Sequence, residues 1–72
     1  MLTVYGKPNC PQCEQAKNLL ESREIEYKYT DISQNEEHRD FIVGMGLRSL
    51  PQIFEGDNHI GDVSDLGFYM DF

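Results

Sequence analysis

KPNCPQC, residues 7–13, contains both cysteines of the chain. It follows a short apolar run and precedes a segment with helical periodicity. A disulfide between Cys10 and Cys13 would enclose only two residues, so it would restrain little chain entropy and add little stability. We therefore expect this cysteine pair to carry out chemistry, and a thiol-disulfide site is the leading hypothesis.

The composition limits the size of the molecule and its partners. Its 72 residues suffice for one domain with a small core, and we expect 1–72 to be a single domain. A formal net charge of -7 disfavours binding to nucleic acid and to anionic membrane surfaces. No run approaches the roughly 18 to 20 apolar residues that span a bilayer, and the apolar start is too short for a signal peptide. We expect a monomer in the cytoplasm, where a reducing environment suits a reversible disulfide.

The residues on both sides of the motif predict a strand, a loop and a helix. The β-branched and apolar run before Gly6 predicts a first strand. From Pro11 to about Arg23 the apolar residues share one helical face, and proline is well tolerated at the first helical position. This places Cys10 at the helix cap and Cys13 in the first turn. The apolar residues of this face are Ala16, Leu19 and Leu20.

The middle of the chain predicts a second strand and a second helix. Apolar and polar residues alternate over 25–30, which indicates a half-buried strand with Tyr27 and Tyr29 as ordinary packing residues. Ser33 and Glu36 have the spacing of a capping box, which predicts a helix from about 34 to 43. The residues expected to be buried are Phe41, Ile42 and Met45, with Gly44 or Gly46 at the end of the helix.

The last third of the chain predicts a hairpin and a short helix. Two apolar runs, 51–54 and 59–61, flank turn-forming residues. Asp62 or Ser64 can cap a final helix. Its inward side would consist of Val63, Leu66, Tyr69 and Met70. The predicted order is therefore β-α-β-α-β-β-α, an α/β fold with a four-stranded mixed sheet.

The position of each cysteine predicts its role. A helix N-terminus stabilises a thiolate, and Lys7 in the same loop adds a positive charge near Cys10. Cys13 is one turn into the helix, within disulfide reach. We expect Cys10 to attack a substrate disulfide and Cys13 to resolve the mixed disulfide that forms.

Metal binding is the alternative use of the cysteine pair. With His38 and His59 the cysteines could complete a zinc site, although the separation of the histidines does not match a zinc finger. A carrier of a soft ion such as copper or zinc, bound through Cys10 and Cys13, is a stronger rival. Such metallochaperone-like domains usually have methionine where this chain has Pro8.

The chain resembles the glutaredoxins over nearly its whole length. The resemblance lies in VYGK at 4–7 leading into CPQC, in AKNLL at 16–20, in RSLPQIF at 48–54 and in HIGD at 59–62. It implies a thioredoxin-like (glutaredoxin) fold with a cis Pro51 beside the cysteines. It also implies glutathione as reductant or substrate, disulfide-containing proteins as partners and no tightly bound cofactor.

The resemblance also assigns a glutathione groove. Lys7 would meet a glutathione carboxylate, Leu50 would bond the cysteinyl backbone, and Ser64 with Asp65 would meet the γ-glutamyl end. The full set of glutathione positions implied in this way is Lys7, Gln12, Leu50, Pro51, Ser64 and Asp65.

Three features depart from the common glutaredoxin pattern. Gln12 stands where many members have Tyr or Phe, and it resembles redoxins that reduce ribonucleotide reductase and are themselves reduced by thioredoxin reductase. Both electron sources therefore stay open, and ribonucleotide reductase is a candidate partner. The common Gly-Gly is Gly61-Asp62, where the carboxylate would either repel a glutathione carboxylate or pair with its amino group. Val63-Ser64 replaces the usual Cys/Thr-Asp, and the chain is shorter than most relatives.

Overall fold

The computed structural model describes residues 1–70. The elements are β1 (Leu2–Gly6), α1 (Pro11–Ser22), β2 (Tyr27–Asp31), α2 (Glu36–Gly44), β3 (Gln52–Glu55), β4 (Asn58–Gly61) and α3 (Val63–Met70). The strands form one sheet in the order β2-β1-β3-β4, in which β1 is parallel to β2 and antiparallel to β3. The predicted element order and four-stranded mixed sheet are thus confirmed. None of the helices described is long and apolar enough to cross a membrane.

The topology brings the cysteine loop and the Pro51 loop to one end of the sheet. Tyr5 of β1 lies opposite Gln52 of antiparallel β3, so the chain after β1 and the chain before β3 emerge together. Gly61, the last residue of β4, lies opposite Ile53 near the same end. We call this the motif end of the sheet, where α1 and α3 also begin.

The core lies between the sheet and the two helices α1 and α3. Its fully packed members are Leu2, Val4, Ala16, Leu20, Ile53 and Leu66. Alternate residues of β1 supply one side, as the period of two in a strand requires. β2 begins at Tyr27 rather than at residue 25, although Ile25 still packs against the core. The packing of α1 and α3 on the sheet through this core fixes both helices with their N-termini at the motif end.

The predicted capping box at the start of α2 is wrong. The N-cap is Asn35, whose side chain accepts hydrogen bonds from the backbone N–H groups of Glu37 and His38 at 2.9 and 3.3 Å. Ser33 is instead held by Asp31, whose carboxylate accepts both its N–H at 2.9 Å and its hydroxyl at 2.6 Å. Asp31 therefore holds Ser33 in a turn before the helix, and Asn35 is the N-cap of α2.

The burial predicted for α2 is confirmed only for Ile42. Phe41 and Met45 are 44% and 46% exposed, so their predicted burial is wrong. The Phe41 ring contacts two aromatic residues of the sheet, with its centroid 5.7 Å from that of Tyr5 and 5.5 Å from that of Phe54. This helix thus presents an apolar face that the fold covers only in part.

Glycine ends α2 as predicted. Gly44 is its last residue, and Gly46 follows with φ 77, the left-handed conformation that glycine adopts at low cost. The N–H of Gly46 bonds the Val43 carbonyl at 2.9 Å and the N–H of Leu47 bonds the Ile42 carbonyl at 3.2 Å. These two bonds form a Schellman motif, which turns the chain towards the Pro51 loop.

The predicted hairpin and last helix are both present, although the strands cover 52–55 and 58–61 rather than the predicted 51–54 and 59–61. β3 and β4 are joined at Gly56 and Asp57, and Gly56 has φ 58, as a tight hairpin turn requires. The cap of α3 is Asp62, one of the two predicted residues, and Leu66 is buried. Tyr69 is 48% exposed, so its predicted inward position is wrong.

Candidate redox site

Cys10 caps α1 and is joined to Cys13 by a disulfide. Cys10 has extended backbone angles, φ -118 and ψ 100, and Pro11 follows at the first helical position. The backbone N–H of Cys13 donates a hydrogen bond to Cys10 Sγ at 3.1 Å. The predicted positions of both cysteines in α1 are therefore confirmed, and the Cys10 sulfur occupies the place of a capping side chain.

The two sulfurs differ in their access to solvent. Cys10 is 9% exposed, whereas Cys13 is completely buried. A substrate sulfur approaching from outside therefore meets Cys10 first. Because the helix N-terminus and the Cys13 N–H favour negative charge on Cys10 Sγ, the more accessible cysteine is also the one that is more stabilised as a thiolate.

The loop before Cys10 carries the predicted positive charge on the surface. Lys7 is exposed and lies three residues before Cys10. Asn9 has φ 58, a left-handed conformation that asparagine adopts more readily than most residues. Gln12, between the two cysteines, is exposed. The loop and the first turn of α1 thus offer one cation, Lys7, and two amides, Asn9 and Gln12, to whatever binds at Cys10.

The Leu50–Pro51 peptide bond is cis, as the resemblance implied. Pro51 is buried and Leu50 partly so. The buried side chain of Gln52 donates from Nε2 to the Ser49 carbonyl at 2.8 Å, and its Oε1 lies 2.7 Å from a ring nitrogen of His59. This network spans the Pro51 loop and holds it against β4, a role that sequence reasoning did not assign to Gln52.

The start of α3 contains the predicted γ-glutamyl positions. Ser64 and Asp65 are both exposed. The Asp65 carboxylate accepts the Asp62 N–H at 3.2 Å, and the Asp62 carboxylate accepts the Asp65 N–H at 3.1 Å. Gly61 has φ 128, and a Cβ there would collide with the Asp65 side chain. Glycine is therefore required where the chain enters α3.

A cleft of about 410 Å³ borders the Pro51 loop. It is lined by Ile32, Ile42, Val43, Gly46, Leu47, Arg48, Ser49 and Leu50. Of the predicted glutathione residues only Leu50 lines this cleft. The predicted groove residues Lys7, Gln12, Ser64 and Asp65 lie instead on the loops and helix ends of the motif end.

Tyr29 approaches the cysteines, although sequence reasoning gave it only a packing role. Its hydroxyl donates to the Lys7 carbonyl at 3.5 Å, and Lys17 Nζ lies 4.3 Å from its ring centroid. A Cβ on Gly6 would be 3.0 Å from Cys13 Sγ and would also collide with Tyr29 Oη. Burial is the main cause that raises the pKa of Tyr29. The only signal in the sequence is a glycine at the end of β1.

The histidines of the zinc hypothesis are used elsewhere. The His59 ring packs on Phe54 at 4.8 Å between centroids, and the His38 ring lies 6.0 Å from that of Tyr5. Within residues 1–70 no three His, Cys, Asp or Glu side chains are grouped so that they could hold a metal ion. A ligand set of two cysteines and two histidines is therefore not assembled in this part of the chain.

Comparison with known proteins gives one family. The Glutaredoxin family model matches residues 2–60. Glutaredoxin 3 of Escherichia coli is 38% identical over 64 residues, covering 88% of this chain and 77% of that protein. The glutaredoxin-like protein NrdH of Lactococcus lactis is 37% identical over 57 residues, covering 79% of each. The structure of NrdH-redoxin from Escherichia coli superposes with a TM-score of 0.85 at 21% identity, covering 99% of this chain and 93% of that one, and shows the shared fold.

Proposed function

The chain belongs to the glutaredoxin family of thiol-disulfide oxidoreductases, and we propose that it reduces protein disulfides and glutathione mixed disulfides. Cys10 is the attacking thiol and Cys13 the resolving thiol. The observation that supports these roles is the hydrogen bond from the Cys13 N–H to Cys10 Sγ, combined with the complete burial of Cys13.

The first step is a displacement at sulfur. The Cys10 thiolate attacks one sulfur of the substrate disulfide and forms a new S–S bond with it, while the bond between the two substrate sulfurs breaks. The second substrate sulfur leaves as a thiolate and takes a proton from solvent. The cap position lowers the cost of this step, because the helix N-terminus and the Cys13 N–H stabilise the thiolate form of Cys10.

The second step releases the substrate. The Cys13 thiolate attacks Cys10 Sγ, the Cys10–Cys13 bond forms, and the bound substrate sulfur leaves as a thiolate and is protonated. Two electrons have then passed from the protein to the substrate. The protein is left as the disulfide that the structure shows, with Cα atoms 5.2 Å apart.

Glutathione is the proposed reductant and co-substrate, bound across the motif end. The Lys7 ammonium would meet a carboxylate, the Leu50 backbone would bond the cysteinyl unit, and Ser64 with Asp65 would receive the γ-glutamyl end. Gln12 and Pro51 would line the groove beside the cysteines. Two glutathione thiols then restore the dithiol and leave as oxidised glutathione.

A ribonucleotide reductase is the proposed natural protein substrate, with the protein acting as a monomer in the cytoplasm. Gln12 between the cysteines supports this role, and so does the similarity to a protein named NrdH. The same similarity makes thioredoxin reductase a competing electron source. Glutathione is favoured by the exposed Lys7 and by the similarity to glutaredoxin 3 of Escherichia coli.

Two coupled assays test the function and its electron source. The oxidised protein is turned over with a glutathionylated peptide, first with glutathione and glutathione reductase, then with thioredoxin reductase. We expect turnover with the glutathione system. Exclusive turnover with thioredoxin reductase would contradict glutathione dependence. A lack of turnover with both systems, together with a stoichiometric copper(I) complex of the reduced protein, would favour the carrier alternative instead.

A further inference from the structure

We propose that Tyr29 is a positioning residue for the resolving cysteine, whose hydroxyl donates a hydrogen bond to the Cys13 thiolate in the reduced protein. The inference rests on the proposed function, since it concerns the step in which Cys13 attacks Cys10. It assigns a role to β2, an element that carries none of the predicted site residues.

The first support is the geometry above Gly6. A Cβ at this position would come too close to both Tyr29 Oη and Cys13 Sγ, so the two atoms border the same carbon-sized space. The parallel register explains this arrangement, because Val4 pairs with Tyr29 and Gly6 is the next residue on that face of β1. Glycine thus leaves room for the phenol of β2 beside the sulfur of α1.

The second support is the need of the buried sulfur for a donor. Cys13 is completely buried, and desolvation raises the free energy of a thiolate that has no partner. At this helix terminus the backbone N–H of Cys13 donates its hydrogen bond to Cys10 Sγ and not to the sulfur of Cys13 itself. Once the disulfide opens, Cys13 therefore gains less from the helix terminus than Cys10 does.

The third support is that the Tyr29 hydroxyl can change its acceptor at little cost. Its bond to the Lys7 carbonyl has a length of 3.5 Å, which is the weak end of the hydrogen-bond range. A thiolate beside it is a charged acceptor, and bonds to charged groups are about twice as strong as neutral ones. The hydroxyl hydrogen should therefore turn from Lys7 to Cys13 when the thiolate forms.

The charged groups around Tyr29 keep its proton in place. Lys17 from α1 faces the ring and is itself paired with Glu14 at 2.9 Å, and Asp31 follows on β2. Burial and the carboxylates of Asp31 and Glu14 raise the pKa of Tyr29, while Lys17 opposes them. The phenol thus stays protonated at neutral pH, so it acts as a hydrogen-bond donor and not as a base.

The resolving step is balanced without proton transfer from Tyr29. The Cys13 thiol loses its proton to solvent, and the thiolate that Tyr29 stabilises then attacks Cys10 Sγ. The Cys10–Cys13 bond forms and the bond from Cys10 to the substrate sulfur breaks. The released substrate thiolate takes its proton from solvent, and Tyr29 returns to the Lys7 carbonyl.

The test measures the pKa of Cys13 directly. In a Cys10→Ser background, the chain is labelled with ¹³Cβ-cysteine and titrated by NMR with and without Tyr29→Phe. The matched control is Tyr27→Phe. It removes a phenol hydroxyl from the same face of β2, but that hydroxyl donates its hydrogen bond to Glu21. We expect Tyr29→Phe to raise the titration midpoint of Cys13 by about one pH unit, because the thiolate loses one charge-assisted hydrogen bond. The control should leave this midpoint unchanged. Equal midpoints in the two variants would overturn the proposal.

A second measurement follows turnover in the chain with both cysteines. A tenfold loss of thiolate is partly offset by the higher nucleophilicity of the more basic sulfur, so Tyr29→Phe should slow reduction of a protein disulfide about three- to fourfold at pH 7. The rate should recover as the pH rises, which a purely structural defect would not produce. An equal loss at every pH would overturn the proposal. Inactivity of the unmodified chain would instead refute the proposed function, and the NMR titration would still test Tyr29.

Discussion

Asp62 and Asp65 cap each other at the start of α3. Each carboxylate accepts the backbone N–H of the other residue, at 3.1 and 3.2 Å. This reciprocal arrangement satisfies two N–H groups at the helix terminus, as in a capping box. It also places two negative charges where the γ-glutamyl end of glutathione is proposed to bind, although the amino group of that end needs only one.

Replacing Asp62 by asparagine should therefore improve glutathione binding. Asparagine keeps the cap, while the loss of one exposed negative charge near the γ-glutamyl carboxylate should lower KM for a glutathione mixed disulfide about 1.4- to fivefold. Steady-state kinetics with a glutathionylated peptide would measure the change. Asp57→Asn, in the hairpin turn at the other end of the sheet, is the control for net charge. A higher KM in Asp62→Asn alone would mean that Asp62 binds the amino group.

The two cysteines should respond differently to substitution by serine. Cys10→Ser removes the attacking sulfur and should reduce all turnover on the order of a thousandfold or more. Cys13→Ser should retain reduction of glutathione mixed disulfides, because glutathione can resolve the Cys10 adduct, and should lose most reduction of protein disulfides. Parallel assays on the two substrate classes measure both effects. Full activity of Cys10→Ser on either substrate would contradict the assigned roles.

Two glycines should respond to alanine in opposite directions. Gly67 lies inside α3, where a Cβ would have no tertiary neighbour within 4 Å, so Gly67→Ala should stabilise the protein by about 0.5–1 kcal/mol. Gly61 has φ 128 and faces the Asp65 side chain, so Gly61→Ala should destabilise it by about 1 kcal/mol or more. Urea unfolding of both variants and the unmodified chain measures these changes. Destabilisation by Gly67→Ala would show that this position is constrained in another way.

Tyr27 should make the stability depend on pH in the alkaline range. Its hydrogen bond to Glu21 is the main cause that raises its pKa from 10.0 to about 12. Since the folded protein holds this proton more tightly, the contribution of Tyr27 is fully present below pH 10 and is lost as the pH rises towards 12. Between about pH 10 and 11, urea midpoints should fall more steeply for the unmodified chain than for Tyr27→Phe. Parallel slopes would rule out this linkage.

The local features of the site could be predicted because short-range rules determine them. Pro11 after Cys10 indicates a helix that starts at the cysteine, and Gly46 indicates where α2 ends. The alternation in β2 also predicts that Tyr27 and Tyr29 face inward. These patterns need only the neighbouring residues and no knowledge of the strand pairing.

The errors arise where two local rules compete or where distant segments meet. Ser33 fits a capping box, but Asp31 is close enough to bind it first, so Asn35 becomes the cap. Phe41 fits a buried helical face, yet α2 buries only Ile42 fully. The approach of Tyr29 to Cys13 depends on the register of β1 and β2, which the periodicity of either strand does not contain.

The unequal exposure of the two sulfurs gives the reduced protein a practical property. Because Cys10 is 9% exposed and Cys13 is completely buried, a bulky thiol-reactive dye has access to only one of them. Conjugation should therefore give a homogeneous product with a single fluorophore at the N-terminus of α1. Such a reporter would record partner docking at the motif end without the introduction of a new cysteine.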